Sequence, residues 1–301
     1  MFGRSCEAYS QWKNDWKYFN NIPKDLDIVN LGSTGDKNNF DYNLWELRGF
    51  NLATSPQDMY YDNQMLHQFG YNLKKGAIVM ICLSEFAMLV DKYDDDYRNF
   101  KYYGILDKRR ILQYSDFKSW MVKHCPGLLD NRYIIAEIKE SIKKILRRNN
   151  KSKSNRAEYL KKRSEKTMKN WIVEFGWDKE LTITKKQHEA LERSWDILLD
   201  DIEYCKANGF IPIIVIPPFN EYLMNVMPNT VLDECLWNYV EKLRLMSIKI
   251  LSYWDDKELQ SATYYDTSIA LNKEGRKIFN TKVQLYLKDQ GLIKMTDAKC
   301  E

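Results

Sequence analysis

Five short, strongly apolar runs, each stopped by glycine, proline or small polar residues, confine this chain to an architecture in which strands alternate with helices. The first, Leu26 to Leu31 (LDIVNL), leads into Gly32-Ser33-Thr34-Gly35, a small-residue turn of the kind that opens an α/β unit. Phe50 to Ala53 (FNLA) is closed by Thr54-Ser55-Pro56, and a helix-like stretch from Gln57 to Leu73 follows. Ala77 to Leu83 (AIVMICL) comes after the breaker Gly76, and its β-branched content suits a strand buried on both faces. Phe210 to Ile216 (FIPIIVI) is halted by Pro217-Pro218; Pro212 inside it points to an edge strand or a strand start. Lys249 to Tyr253 (KILSY) is the fifth.

Amphipathic segments stand between these runs. In Gln187 to Ala207, Leu191, Trp195, Leu198 and Ile202 fall at helical spacing, and Asn208-Gly209 marks the end. Val231 to Arg244 and Lys273 to Lys288 read as further helices. Parallel strands require such crossovers. The expected fold is therefore a three-layer αβα, flavodoxin-like parallel sheet with strands over 27–31, 50–53, 77–83, 211–216 and 248–252.

The alternation is interrupted between about residues 90 and 180. This segment opens with Asp91, Asp94, Asp95 and Asp96, and from Ser141 to Asn170 it holds 12 Lys or Arg against two Glu. A long insertion in a chain committed to one sheet usually covers the functional face, so a mainly helical cap is expected over 90–180, between domain segments 1–89 and 181–301. A solvated loop explains the basic run around Asn149 to Asn155 equally well.

Bulk properties exclude several classes. The 301 residues, 44% of them apolar, can bury a substantial core. A net charge of only +4 gives no general case for a nucleic-acid partner. Six scattered cysteines (Cys6, Cys82, Cys125, Cys205, Cys235, Cys300) form no metal-ligand spacing, and free thiols in a reducing compartment are expected. Residues 1–20 mix charges and aromatics without an apolar core, and no run reaches the roughly 18 apolar residues of a membrane helix. A cytoplasmic location, with no transmembrane segment, is the resulting expectation. Phosphate-loop, dinucleotide and metal motifs are missing from the sequence, so no cofactor and no metal are expected.

Two blocks carry a resemblance. Leu31-Gly32-Ser33-Thr34 looks like the first block of the SGNH/GDSL hydrolases, in which a Gly-x-Ser sits on the turn after the first strand. Tyr265-Asp266-Thr267-Ser268-Ile269-Ala270-Leu271-Asn272, followed by Gly275, is similar to the last block, where an aspartate precedes a histidine near the final helix. With Asp41-Tyr42 and Pro217-Pro218, the chain most resembles the bacterial branch associated with polysaccharide and cell-envelope acylation. The resemblance implies a nucleophile position at Thr34 with Ser33 beside it, a carboxylate at Asp266, and an imidazole position occupied by Ala270, whose methyl group cannot move a proton. Oxyanion or substrate contacts are expected from Gly35, from Thr54 and Ser55, from Ser84 where the family's Gly-x-Asn-Asp is replaced by Leu83-Ser84-Glu85-Phe86, and from Asn220.

His67, His124 and His188 stand away from the strand ends where ligands bind in open α/β sheets, and surface or packing roles are expected for each. Tyr60-Tyr61, Tyr102-Tyr103, Trp254 and Tyr264-Tyr265 offer aromatic faces suited to sugar rings, though packing serves most of them equally. The implied function is an O-acyl esterase or O-acetyltransferase acting on a bacterial glycan or another small ester, inactive or impaired as written by Ala270, whether natively or through replacement of a histidine. The alternative is a non-catalytic glycan-binding or scaffold protein on the same fold.

Overall fold

The computed structural model describes residues 7–92, 96–129, 134–135, 138–139, 156–177 and 181–293. The chain divides into two compact units, one of Lys24–Asp91 with Asn155–Glu301, the other of Met1–Pro23 with Lys92–Ser154. In the first unit five strands form one sheet: β1 (Leu26–Leu31), β2 (Gly49–Asn51), β3 (Leu73–Cys82), β4 (Ile211–Ile216) and β5 (Lys249–Ser252). Their spatial order is β2-β1-β3-β4-β5, and every pair is parallel. The principal helices of this unit are α1 (Thr34–Asn39), α2 (Met59–Phe69), α3 (Arg156–Phe175), α4 (Lys185–Ala207), α5 (Asn238–Leu245) and α6 (Lys273–Asp289).

Both faces of the sheet are buried, which is what makes it three-layered. Ile28, Ile78, Met80, Ile213 and Val215 pack with Phe279, Val283 and Leu287 of α6 in one cluster. Their neighbours Val29, Val79, Ile81 and Ile214 alternate to the opposite face and are equally buried. Side chains cap the starts of two of these helices. Thr184 and Gln187 form a reciprocal capping box at the start of α4, and the Asn272 side chain accepts from Gly275 N at the start of α6.

One local reading changes and a second is resolved. β3 begins at Leu73, not Ala77, because Gly76 does not break it: the residue takes φ +80° and donates its N–H to the Gly209 carbonyl, while the register against β1 shifts between Leu26 and Ile28. Pro212 lies in an interior strand rather than an edge. It is accommodated near the strand start, paired with Val79 but preceding the first β4–β5 pair, Ile213 with Lys249.

The inserted segment is also divided differently from its continuous reading as 90–180. Helix α3 groups with the sheet, and its buried residues Leu160, Ser164 and Met168 recur every fourth position. The second unit instead joins an N-terminal helix, Glu7–Phe19, to Asp116–His124 and shorter helical turns. Within it Asn20 Nδ2 donates to the Gly104 carbonyl, and the Trp16 indole lies so close that a Cβ on Gly104 would meet it at 2.8 Å. Residues 141–155 of the basic run, with Asp94 and Asp95, lie outside the described residues. Asp91 is buried and ion-paired with Arg193 at 2.6 Å. Among the described residues Cys82, Cys125, Cys205 and Cys235 are free thiols, and no helix is long and apolar enough to cross a membrane.

Candidate functional site

The turn after β1 is built around a glycine. Gly32 adopts φ +132°, and a Cβ there would strike the Asp36 carboxylate at 2.4 Å, so only glycine lets the chain bend over that side chain. The Gly32 N–H donates to Asp62 Oδ1 at 2.8 Å and the Ser33 N–H to Asp36 Oδ2 at 3.0 Å. Ser33 thereby becomes the N-cap of α1.

The turn after β2 locks onto the first. Ser33 Oγ accepts from the Gln57 N–H at 3.0 Å, and the Thr34 and Ser55 hydroxyls lie 2.8 Å apart. Gln57 Nε2 donates to Asp62 Oδ1 at 2.6 Å, while Thr54 donates its hydroxyl to Gln57 Oε1 at 2.8 Å. Thr54 is thus buried and internally committed. Ser33, Thr34 and Ser55 remain partly exposed at the carboxyl ends of neighbouring parallel strands, the edge where open α/β sheets bind ligands.

The 265–271 loop comes to the same edge. A Cβ on Gly35 would sit 3.4 Å from the Ile269 carbonyl, Leu271 N donates to Asn39 Oδ1 at 2.9 Å, and Asn280 Nδ2 donates to the Asn39 carbonyl at 2.8 Å. Within the loop Asp266 N donates to the Ala270 carbonyl at 2.9 Å, and Ala270 N to Thr267 Oγ1 at 3.0 Å. The side chain of Thr267, rather than that of Asp266, therefore bonds the backbone of position 270. The Asp266 carboxylate is well exposed and pairs with Arg156 at 3.2 Å, and the same guanidinium donates to the Tyr265 carbonyl.

Helix α3 secures this loop from outside. The Thr167 and Ser268 hydroxyls lie 2.7 Å apart, and Ser164 Oγ donates to Asn220 Oδ1 at 3.3 Å. Asn220 is fully buried; its Oδ1 also accepts from Leu223 N at 3.0 Å, and its Nδ2 donates to the Ser268 carbonyl. Its amide is spent holding the loop, which differs from the substrate contact expected of it. Ser84, half-buried after β3, gives its carbonyl to the Ala87 N–H.

The turn after β1 and the turn after β3 each hold a buried carboxyl group, Asp36 and Glu85. Burial pushes Asp36 up to about 7 against its ordinary 3.8, and it pushes Glu85 up to about 8, with the Asp36 charge adding to the effect. The Cys82 thiol beside Asp36 is also raised by burial and by the neighbouring acids. Sequence reading gave no part to Asp36, Gln57, Asp62 or Arg156. The spacing Ser33-x-x-Asp36 is a helix-start signal that could have marked the first of these.

The contacts described at this edge of the sheet involve neither His67 nor His188. The His67 ring stacks on Tyr204 at 4.1 Å, and His188 Nε2 stands 3.8 Å from Glu234. His124, in the other unit, lies 5.0 Å from the Trp120 ring. The arrangement thus brings the hydroxyls of Ser33, Thr34 and Ser55 to one edge of the sheet, with the 265–271 loop beside Gly35.

No protein-family model and no curated protein matches the chain. Among solved structures it is similar to a Bacteroides fragilis protein described as a "putative acylhydrolase", with a TM-score of 0.45 and 9% identity over 93% of this chain and 97% of that one. That likeness assigns no residue a role.

Proposed function

We propose that the protein is an O-acyl esterase or O-acetyltransferase type of protein whose site lies at the Ser33/Thr34/Ser55 edge, taking an acylated bacterial glycan or another small ester, with turnover impaired by Ala270. The carrying observation is the 2.8 Å contact between the Thr34 and Ser55 hydroxyls on adjoining strand-end turns. In acyl transfer the Thr34 oxygen would bond to the ester carbonyl carbon, the carbonyl oxygen would take up negative charge, and the alcohol would leave with a proton. Water or an acceptor hydroxyl would then take the acyl group and return the proton to Thr34. Ser33, Gly35, Ser55 and Ser84 would bind the substrate or its oxyanion, with Thr54 and Asn220 holding those positions. Both steps need a proton carrier at the hydroxyl, and Ala270 offers none.

A second reading, a glycan-binding protein without turnover, is favoured by the pairing of Asp266 with Arg156, which engages the carboxylate with a guanidinium. Acetate release from an O-acetylated glycan, measured alongside binding of the same glycan, separates the two. Slow release abolished by Thr34→Val supports the impaired enzyme. Binding with no release, unchanged when Ala270→His is introduced, supports the binding protein; neither binding nor release rejects both.

A further inference from the structure

We infer that His67, Asp200 and Asp201 form a site for one divalent transition-metal ion of the zinc class, held between α2 and α4. One donor atom from each of the three lies within 4.8 Å of the others. Asn63 and His67 stand one helical turn apart on α2, and Asp200 and Asp201 are consecutive on the α4 helix that packs against it. The set is supplied by two rigid helices and not by a loop.

Two orphaned atoms distinguish this group from an ordinary surface ion pair. His67 Nε2 lies 2.9 Å from Asp200 Oδ2 yet makes no hydrogen bond, and it is closed off from solvent. Asp201 is wholly buried, and its Oδ2 likewise has no hydrogen-bond partner. Buried polar atoms in native proteins are nearly always satisfied. A single cation answers both.

The surrounding groups already orient the donors. Asn63 Nδ2 donates to Asp200 Oδ2 at 2.6 Å and to Asp201 Oδ1 at 3.0 Å, and Asn63 Oδ1 accepts from Gln64 Nε2 at 2.8 Å. This fixes both carboxylates from behind, as outer-shell partners do at metal sites. Tyr204 stacked on the imidazole restricts the ring. One imidazole and two carboxylates suit zinc and its neighbours, whereas magnesium favours octahedral oxygen ligation with several waters. Sequence spacing alone assigned His67 no such role, because its partners are more than 130 positions away.

The test uses the full chain after removal of metal by a chelator. Titration with Co²⁺ is expected to give a weak visible d–d band saturating at one ion per chain, displaced by Zn²⁺ but not by excess Mg²⁺, with no thiolate charge-transfer band. Asn63→Ala should weaken binding by about 10- to 100-fold, the usual cost of losing an outer-shell partner, and His67→Ala and Asp201→Asn by at least as much. His188→Ala should leave binding unchanged. Absence of the band in the unmodified protein, a thiolate band, or equal affinity in a folded His67→Ala protein would each overturn the inference.

Discussion

The Thr34 and Ser55 hydroxyls stand 2.8 Å apart and tie the turn after β1 to the turn after β2. A contact between two partly exposed hydroxyls contributes little to stability, on the order of 0.5–1.5 kcal/mol. Thr34→Val is therefore expected to lower the free energy of unfolding in urea by about that amount while removing any acyl transfer. A loss of several kcal/mol would mean that Thr34 serves the fold first.

Asn220 is the opposite case. Its amide joins Ser164, Leu223 N and the Ser268 carbonyl in a buried position, so Asn220→Ala leaves several polar groups unsatisfied. A destabilisation of roughly 2–4 kcal/mol is expected, from about 1–3 kcal/mol for each abandoned buried partner with partial relaxation. Hydrogen exchange should accelerate in residues 266–271 more than in β3. Uniform acceleration would show that Asn220 supports the whole unit and not this loop.

Much of this arrangement was legible before the structure. Each of the five apolar runs became a strand, most clearly the three central ones, because a parallel strand buried on both faces is largely apolar along its length. The failures are equally physical. Gly76 read as a stop because φ preferences are local, whereas the Gly209 carbonyl that satisfies its N–H is supplied by another part of the chain. The Gly32 turn was visible, but the burial of Asp36 beneath it was not, since an acidic residue in a polar stretch ordinarily faces water. The pairing of Arg156 with Asp266, across 110 positions, has no local signature.

The buried acids give the protein a pH dependence of definite sign. Asp36 and Glu85 keep their protons in the folded chain up to about 7 and about 8, whereas in the unfolded chain they lose them near 3.8 and 4.5. Between those limits the folded state holds more protons, so stability falls as pH rises. Each group contributes up to about 1.4 kcal/mol per pH unit within its window. The melting temperature should be higher at pH 5 than at pH 8, and Asp36→Asn with Glu85→Gln should flatten the slope. A rise in stability across that interval would contradict the burial of these carboxyls as charged-state penalties.

Arg156 and Asp266 form an exposed pair, and exposed pairs contribute about 0–1 kcal/mol. Arg156→Ala is expected to change stability by no more than that. If Asp266 can orient an imidazole at position 270, freeing it from Arg156 should raise the turnover of an Ala270→His protein. Identical turnover with and without Arg156 would assign Asp266 no part in the chemistry.

The proposed acyl-transfer site at this edge of the sheet has no proton carrier at position 270. Loss of the equivalent histidine elsewhere costs on the order of 10⁶ in turnover, so the unmodified chain should hydrolyse a small acetyl ester only slowly, about 10³–10⁴-fold above the uncatalysed rate at most. The direct measurement is the hydrolysis rate of that ester by folded Ala270→His protein, compared with unmodified protein and with Thr34→Ala on the same background. Measurable turnover is expected from Ala270→His, its loss with Thr34→Ala, and a milder effect from Ser33→Ala. Equal rates with and without the histidine would contradict the proposed site.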